Sequence, residues 1–298
     1  MKKKGVVGIG NMGMGIAKNL LKHGFQVKGY DISNERRKEL EGYGGIPCLS
    51  AAEVGQDADV VFIMVMNGDQ AKEVVFGADG LTSTMKKGSC IFLTATIGRR
   101  PAMEIDEGLV DAGINMIDCC VSGGLPGAHN GTLTLMAAGK HEVYDDMSDV
   151  MAAIATNPNY VGSEPGQGQV VKSCLQALIA TEFTTTFELM TMGAKAGVDP
   201  EVLLNVISTS GAGCGVFKNC VPLIMDRKFV NTGSAITTMN KDIGITMELA
   251  RDLGCFMPTT AAAREVFQAG ISKYPDEDNW ACIKIYEDIA GTKVERKK

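Results

Sequence analysis

Lys172 stands in "GQGQVVKSCLQALIATEF", residues 166–183, where charges are few and Gln176 follows four positions later. A lysine on such an apolar helix is desolvated at a cost. One chemistry open to it is proton transfer: a lysine whose pKa is lowered towards working pH can accept a hydroxyl proton, and burial lowers it. Gln176 shares its helix face and offers an amide to a substrate oxygen. The pair alone is a weak signal, since most lysines near a helix end snorkel their ammonium to solvent. A second candidate is "SGG", Ser122–Gly123–Gly124, where a hydroxyl and successive unhindered N–H groups can cradle a carboxylate. An ordinary loop is the competing reading.

The third candidate is "GIGNMG", a G-x-G-x-x-G made by Gly8, Gly10 and Gly13. One glycine serves the tight turn, one lets the backbone approach a pyrophosphate, and one allows close helix–strand packing. The helix that follows offers its N–H groups and positive end to phosphate. The motif follows a strand pattern, opens a helix, and precedes Asp31 by the expected interval. A carboxylate there accepts from a ribose 2′-hydroxyl and repels a 2′-phosphate, so NAD is favoured over NADP. Arg36 and Arg37 are read as solvent-facing residues of the next helix. An oxidised nicotinamide near Lys172 would add to burial in disfavouring the ammonium.

These candidates need a frame. Residues 1–162 alternate β-rich runs (Gly5–Ile9, Phe25–Asp31, Val60–Met66, Cys90–Thr94, Ile114–Asp118, Thr132–Ala138) with helical patterns. That alternation predicts a mostly parallel, doubly wound sheet. After "NYVG" the strand-like runs stop, and residues 163–298 read as all-helical. A long helix over about 168–194 links the two parts, buried on most sides because it carries so few charges. Further helices are expected over 200–209, 239–254, 259–271 and 279–289. The fold class is therefore α/β, a Rossmann domain followed by an all-α domain. Ligand sites favour such junctions.

The 298 residues, 45% hydrophobic and 21% charged, suit two domains of a globular protein. A net charge of −6 argues against nucleic acid as partner. No apolar run has membrane-spanning length. Nine scattered cysteines, odd in number and without metal-like spacing, read as reduced thiols in a cytoplasmic protein. His23, His129 and His141 suggest no metal site. The basic ends, Lys2–Lys4 and Arg296–Lys298, read as solvated termini.

Taken in order, "GIGNMG" with "AKNLLKHG", "DCCVSGG…GTLTLMAAG", "GQGQVVKSCLQ" and "NKDIGI" resemble the β-hydroxyacid dehydrogenase family over essentially the whole chain. That family includes 3-hydroxyisobutyrate dehydrogenase and tartronate semialdehyde reductase. The resemblance implies that Lys172 is the general acid/base and that Ser122, Gly123 and Gly124 hold the carboxylate of a small substrate. It implies that Ile9, Asn11, Met12, Asp31, Val65 and Thr96 line the cofactor, with Lys241 reaching it from the helical domain. It also implies a homodimer or homotetramer. The expected reaction interconverts a small 3-hydroxy acid and its semialdehyde. A non-catalytic dinucleotide sensor, an imine reductase and a sugar-acid dehydrogenase are the alternatives. The chain departs from the family's pattern at Gln176 (usually asparagine), at "LTAT" (Leu93–Thr96), at Met64–Met66, at Cys119–Cys120 (usually Ala-Pro), and at Gly15, where proline is common.

Overall fold

The computed structural model describes residues 3–296. The chain forms two compact units, Met1–Lys172 and Ser173–Lys298.

Among the described residues, the first unit holds one eight-stranded sheet. Its strands are β1 (Lys3–Val7), β2 (Gln26–Tyr30), β3 (Ile46–Pro47), β4 (Val60–Ile63), β5 (Cys90–Leu93), β6 (Asn115–Ser122), β7 (Leu133–Ala138) and β8 (Ala155–Gly162). They lie in the order β3-β2-β1-β4-β5-β6-β7-β8. Helices α1 (Asn11–Lys22), α2 (Asn34–Gly42), α3 (Ala51–Gly55), α4 (Gly68–Phe76), α5 (Arg99–Leu109), α6 (Gly124–Asn130), α7 (His141–Asp146) and α8 (Ser148–Ile154) connect them. This is the expected Rossmann domain.

Side-chain alternation shows why the sheet is covered on both faces. Val6, Phe62, Phe92 and Ile117 form one cross-strand row and pack with Ile16 and Leu20 of α1. Their neighbours Val7, Ile63 and Leu93 point the other way, onto Val54, Ala71, Val75 and Ile105. The next residue in that second row, opposite Leu93, is Asp118.

All pairings are parallel except β6–β7. The cause is chain length: only residues 123–132 separate these strands, too few for a parallel crossover. The departure at Gly15 also has a reason. A Cβ there would lie 2.7 Å from the Ala128 backbone, so glycine lets α1 press against α6. Asn19 then bonds both helices, donating to the carbonyls of Gly15 (2.9 Å) and Ala128 (2.7 Å).

Helix α9 (Gln167–Lys195, 29 residues) begins in the first unit and continues into the second. The second unit otherwise comprises α10 (Pro200–Thr209), α11 (Gly215–Met225), α12 (Ile236–Leu253), α13 (Pro258–Lys273) and α14 (Ile283–Ala290). All of it is helical, as expected. Phe183, Phe187, Phe217, Phe267 and Trp280 anchor its core. Asp199 caps α10 through the Glu201 N–H at 2.9 Å, and Gly254 ends α12 in the left-handed conformation. Helix α11 is not among the helices expected from the sequence, and Pro222 lies inside it. On α9, Val171, Cys174, Leu178, Thr185 and Met192 are exposed, so the helix is less enclosed than its low charge suggested.

The basic ends also differ from expectation. Lys4 is a buried residue of β1, 1% exposed, with Nζ 4.9 Å from the centre of the Phe25 ring. Arg296 is tied back to Asp226 (2.6 Å) and Glu201. Lys2, Lys297 and Lys298 lie outside the described residues. All nine cysteines are free thiols. Among the described residues no helix is long and apolar enough to cross a membrane, and no three metal-binding side chains converge.

Candidate active site

The carboxyl edge of the sheet is assembled strand by strand. The Gly8 N–H donates to the Tyr30 carbonyl at 2.9 Å, joining the glycine loop to the end of β2. The Met64 N–H donates to Val7 (2.9 Å), and the Thr94 N–H donates to Ile63 (3.0 Å). The loops holding Asp31, Val65 and Thr96 are thereby lined up along one edge, where open α/β sheets bind ligands.

Within "GIGNMG" the three glycines have separable reasons. Gly8 has φ +84°, and a Cβ on it would fall 2.2 Å from the Met64 carbonyl oxygen, with Val65 beside it. A Cβ on Gly13 would fall 1.9 Å from the Gly8 oxygen. Both are needed for turn and packing. A Cβ on Gly10 would meet nothing, so packing gives no reason for glycine there. Close approach of a pyrophosphate does, and the loop fits a dinucleotide. Ile9 is buried beneath it, while Asn11 and Met12 open α1.

Asp31 is half-buried, and its Oδ1 accepts from the Ser33 N–H at 2.9 Å. Arg36 and Arg37 do not face solvent as expected. Both are half-buried: Arg36 donates to Asn11 Oδ1 and Glu39 Oε2, each at 2.8 Å, and Arg37 donates to the Asp31 carbonyl. Helix α2 thus turns the Arg36 guanidinium back to Asn11 of the glycine loop, while Arg37 ties down the connection between β2 and α2.

Ser122 ends β6 and is half-buried; Gly123 (φ +131°) and Gly124 (φ +59°) follow and are exposed. Left-handed backbone at consecutive positions favours glycine. Asp118, Cys120 and Ser122 share one face of β6. Lys172 is only 8% exposed. Burial and Asp118 push the Cys120 thiol well above its usual range, and the charge of Lys172 pulls it back. Cys120 also bonds the Thr96 side chain. Within the first unit, the Thr96 side chain therefore meets Cys120, with Ser122 two positions along the strand, and the charge of Lys172 is felt at that thiol.

What ties the start of α9 to β6 was missed in the sequence. Asp118 is fully buried. Its Oδ2 accepts from the N–H groups of Gly166 (3.0 Å) and Gln169 (3.1 Å), and its Oδ1 accepts from Gln169 Nε2 (2.8 Å). Burial raises its pKa to about 6, against hydrogen bonds from Gln169, Gly166 and Gly168 that lower it. The available signal was a carboxylate inside an apolar strand, which demands partners.

In the second unit, Gln176 is buried and donates to Asp242 Oδ2 at 2.6 Å, while Lys241 Nζ lies 3.0 Å from Asp242 Oδ1. The Gln176 amide is thus engaged by a carboxylate. The helix expected over 239–254 begins earlier, at Ile236, and its Asp242 is buried with Gln176 as its hydrogen-bond donor.

A glycine-rich nucleotide loop at a Rossmann edge followed by an all-helical unit is the build of a dinucleotide-binding protein, and the known proteins it resembles give the class. Residues 3–162 match the NAD-binding domain of 6-phosphogluconate dehydrogenase, and residues 166–286 match the NAD-binding domain of NADP-dependent 3-hydroxyisobutyrate dehydrogenase. The chain is 36% identical to an L-threonate dehydrogenase of Cupriavidus necator, covering 96% of each. It is 30% identical to the mitochondrial 3-hydroxyisobutyrate dehydrogenase of Rattus norvegicus, covering 95% of this chain and 86% of that one. A solved 3-hydroxyisobutyrate dehydrogenase from Salmonella typhimurium superposes with a TM-score of 0.86 at 30% identity, covering 96% and 100%. The chain belongs to the β-hydroxyacid dehydrogenase family and is an NAD(P)-dependent oxidoreductase of small hydroxy acids.

Proposed function

We propose that the enzyme interconverts a small 3-hydroxy acid and its carbonyl product, with Lys172 as general acid/base and Ser122–Gly124 holding the substrate carboxylate. A bound nicotinamide dinucleotide supplies the acceptor for the hydride leaving the carbinol carbon. Neutral Lys172 takes the hydroxyl proton as the carbon–oxygen double bond forms, and returns it in reduction. The observation that carries the reading is Lys172 itself, buried on the first turns of α9 beside Cys120 on the strand that ends at Ser122. A buried amine has reason to be neutral.

NAD is the favoured cofactor. Asp31 stands at the end of β2, and Arg36 and Arg37 are held by Glu39, Asn11 and the Asp31 carbonyl. Gly8, Ile9, Gly10, Asn11, Met12, Gly13, Val65 and Thr96 complete the cofactor contacts from the first unit, and Lys241 contributes from the second. Gln176, longer than asparagine by one methylene and paired with Asp242, is the substrate contact on which specificity turns. L-threonate is the first substrate to try, because it is what the Cupriavidus relative is named for. We place the enzyme in the cytoplasm as a homodimer or homotetramer.

The test follows absorbance at 340 nm with NAD or NADP and L-threonate, 3-hydroxyisobutyrate or 2-(hydroxymethyl)glutarate. Turnover with NAD should fall by about 10²-fold or more in Lys172→Ala, the scale of a lost general base. Full turnover in that variant would sink the assignment.

A further inference from the structure

Asp118 interrupts an apolar row. Its rung neighbours are Leu93 and Ala138, and the row continues through Ile63 to Val7. A carboxylate with no exposed surface needs compensation, and it finds hydrogen-bond donors at the N-terminal end of α9: Gly166 just before the helix, and Gly168 and Gln169 in its first turn. The first turn of α9 has no acidic residue of its own. The negative charge favoured at a helix N-terminus therefore comes from β6.

Gln169 completes the connection. Its Oε1 accepts from the N–H groups of Ile97 (2.9 Å) and Gly98 (3.0 Å), while its Nε2 donates to the Ala95 carbonyl (3.1 Å) and Asp118 (2.8 Å). The amide has two donors and two acceptor sites, and all four are used. Thr96 lies inside the segment that Gln169 grips. Lys172 lies three positions after Gln169, next to it on the helix surface. Gly168 permits the approach, since a Cβ there would fall 2.7 Å from the carbonyl oxygens of Asp118 and Met136.

We propose that Asp118 and Gln169 are positioning residues for proton and hydride transfer, fixing Lys172 of α9 relative to the Thr96 segment without touching either ligand. The inference rests on Lys172 being the general acid/base and Thr96 a cofactor contact. Asp118 and Gln169 are 0% and 1% exposed, so they act only through what they hold. Small displacements of a catalytic group cost rate steeply, whereas affinity is set by residues the pair does not replace.

The experiment compares Asp118→Asn, Gln169→Glu, the double exchange and Gln169→Met with the parent enzyme and Lys172→Ala. It uses whichever hydroxy acid of the panel gives the highest kcat/KM. Asp118→Asn can set two N–H donors against each other, and Gln169→Glu sets two carboxylates against each other. Each should lower kcat about 10- to 100-fold with KM and the NADH Kd changed less than about threefold. The double exchange restores an N–H to carboxylate bond between the two positions and should recover at least part of kcat. Gln169→Met fills the same space and should show the same kcat-selective loss if a charged variant fails to fold. Amide hydrogen exchange should quicken over residues 95–98 and 166–172 and stay unchanged in the outer strands. Parent kcat in every folded variant, or equal losses in kcat and NADH affinity, overturns the proposal. If Lys172→Ala keeps full turnover, the assignment of Lys172 fails. If Lys172→Ala is inactive while the Asp118 and Gln169 variants match the parent, the positioning proposal alone fails. No turnover with the whole panel overturns both.

Discussion

At the scale of single residues, Asp118 couples the site to pH. Burial raises its carboxyl from 3.8 to about 6 in the folded chain. Between those values the folded state binds the proton that the unfolded state releases, so stability falls as pH rises. Below pH 3.8 both states are protonated and above pH 6 both are ionised, so the loss is complete there and stays constant. At 1.36 kcal/mol per unit, the group costs roughly 3 kcal/mol at pH 7. Asp118→Asn removes this dependence. Urea unfolding from pH 4 to pH 7 should show the variant gaining stability relative to the parent, most steeply between pH 4 and 6. Parallel curves would contradict the shift. The charges at this site were only half legible in sequence: Lys172 stood out against a low-charge helix, but nothing singled out Asp118 or Gln169. Only pairing of strands and docking of α9 reveals that one is buried among apolar neighbours and the other bridges two segments.

At the scale of elements, what was legible followed periodicity and caps, and what was not followed contacts between elements. The strands from Val60 and Cys90 and the helix from Pro200 were visible because each carries its own pattern or cap. The antiparallel turn of β7 and the burial of Lys4 depend on neighbours distant in sequence, and α11 was hidden by Gly215 and Pro222. The glycine loop lies between these cases, since its motif was plain but the reason for each glycine needed the structure. Gly10→Ala places its methyl in open space, so the variant should unfold within about 1 kcal/mol of the parent, the propensity range for such a change. Its NADH affinity should nevertheless fall at least tenfold. Gly168→Ala forces its methyl onto two backbone oxygens, which cannot rotate away. It should lower stability by about 1–3 kcal/mol, as overpacking does, and weaken kcat by disturbing Lys172. Calorimetry with NADH titration checks the pair, and the opposite pattern would mean the glycines have exchanged roles.

At the scale of the whole molecule, the second unit exposes apolar side chains that an isolated chain has no use for. On α9, Leu178 is 57% and Met192 70% exposed; on α10, Val202 and Val206 are also more than half exposed. The two helices meet where Gly193 admits Leu203, since a Cβ there would fall 2.3 Å from that side chain. Scattered exposed apolar residues need no explanation, but a set on neighbouring helices does. Covering the exposed parts of these four side chains would contribute about 4–7 kcal/mol before the cost of association, taking a full side chain as about 1.5–3 kcal/mol. That is comparable to the lower estimates of the cost itself, so a stable assembly needs further surface, and one disruptive charge should tip the balance. Light scattering of the purified enzyme should therefore give a multiple of the 31.6 kDa chain mass. Leu178→Arg with Met192→Arg should shift it towards the monomer at micromolar concentration while circular dichroism stays unchanged. A monomeric parent would mean that these helices face solvent in the working enzyme, and their apolar residues would then need another partner. A parent oligomer that survives both substitutions would place the interface elsewhere on the chain.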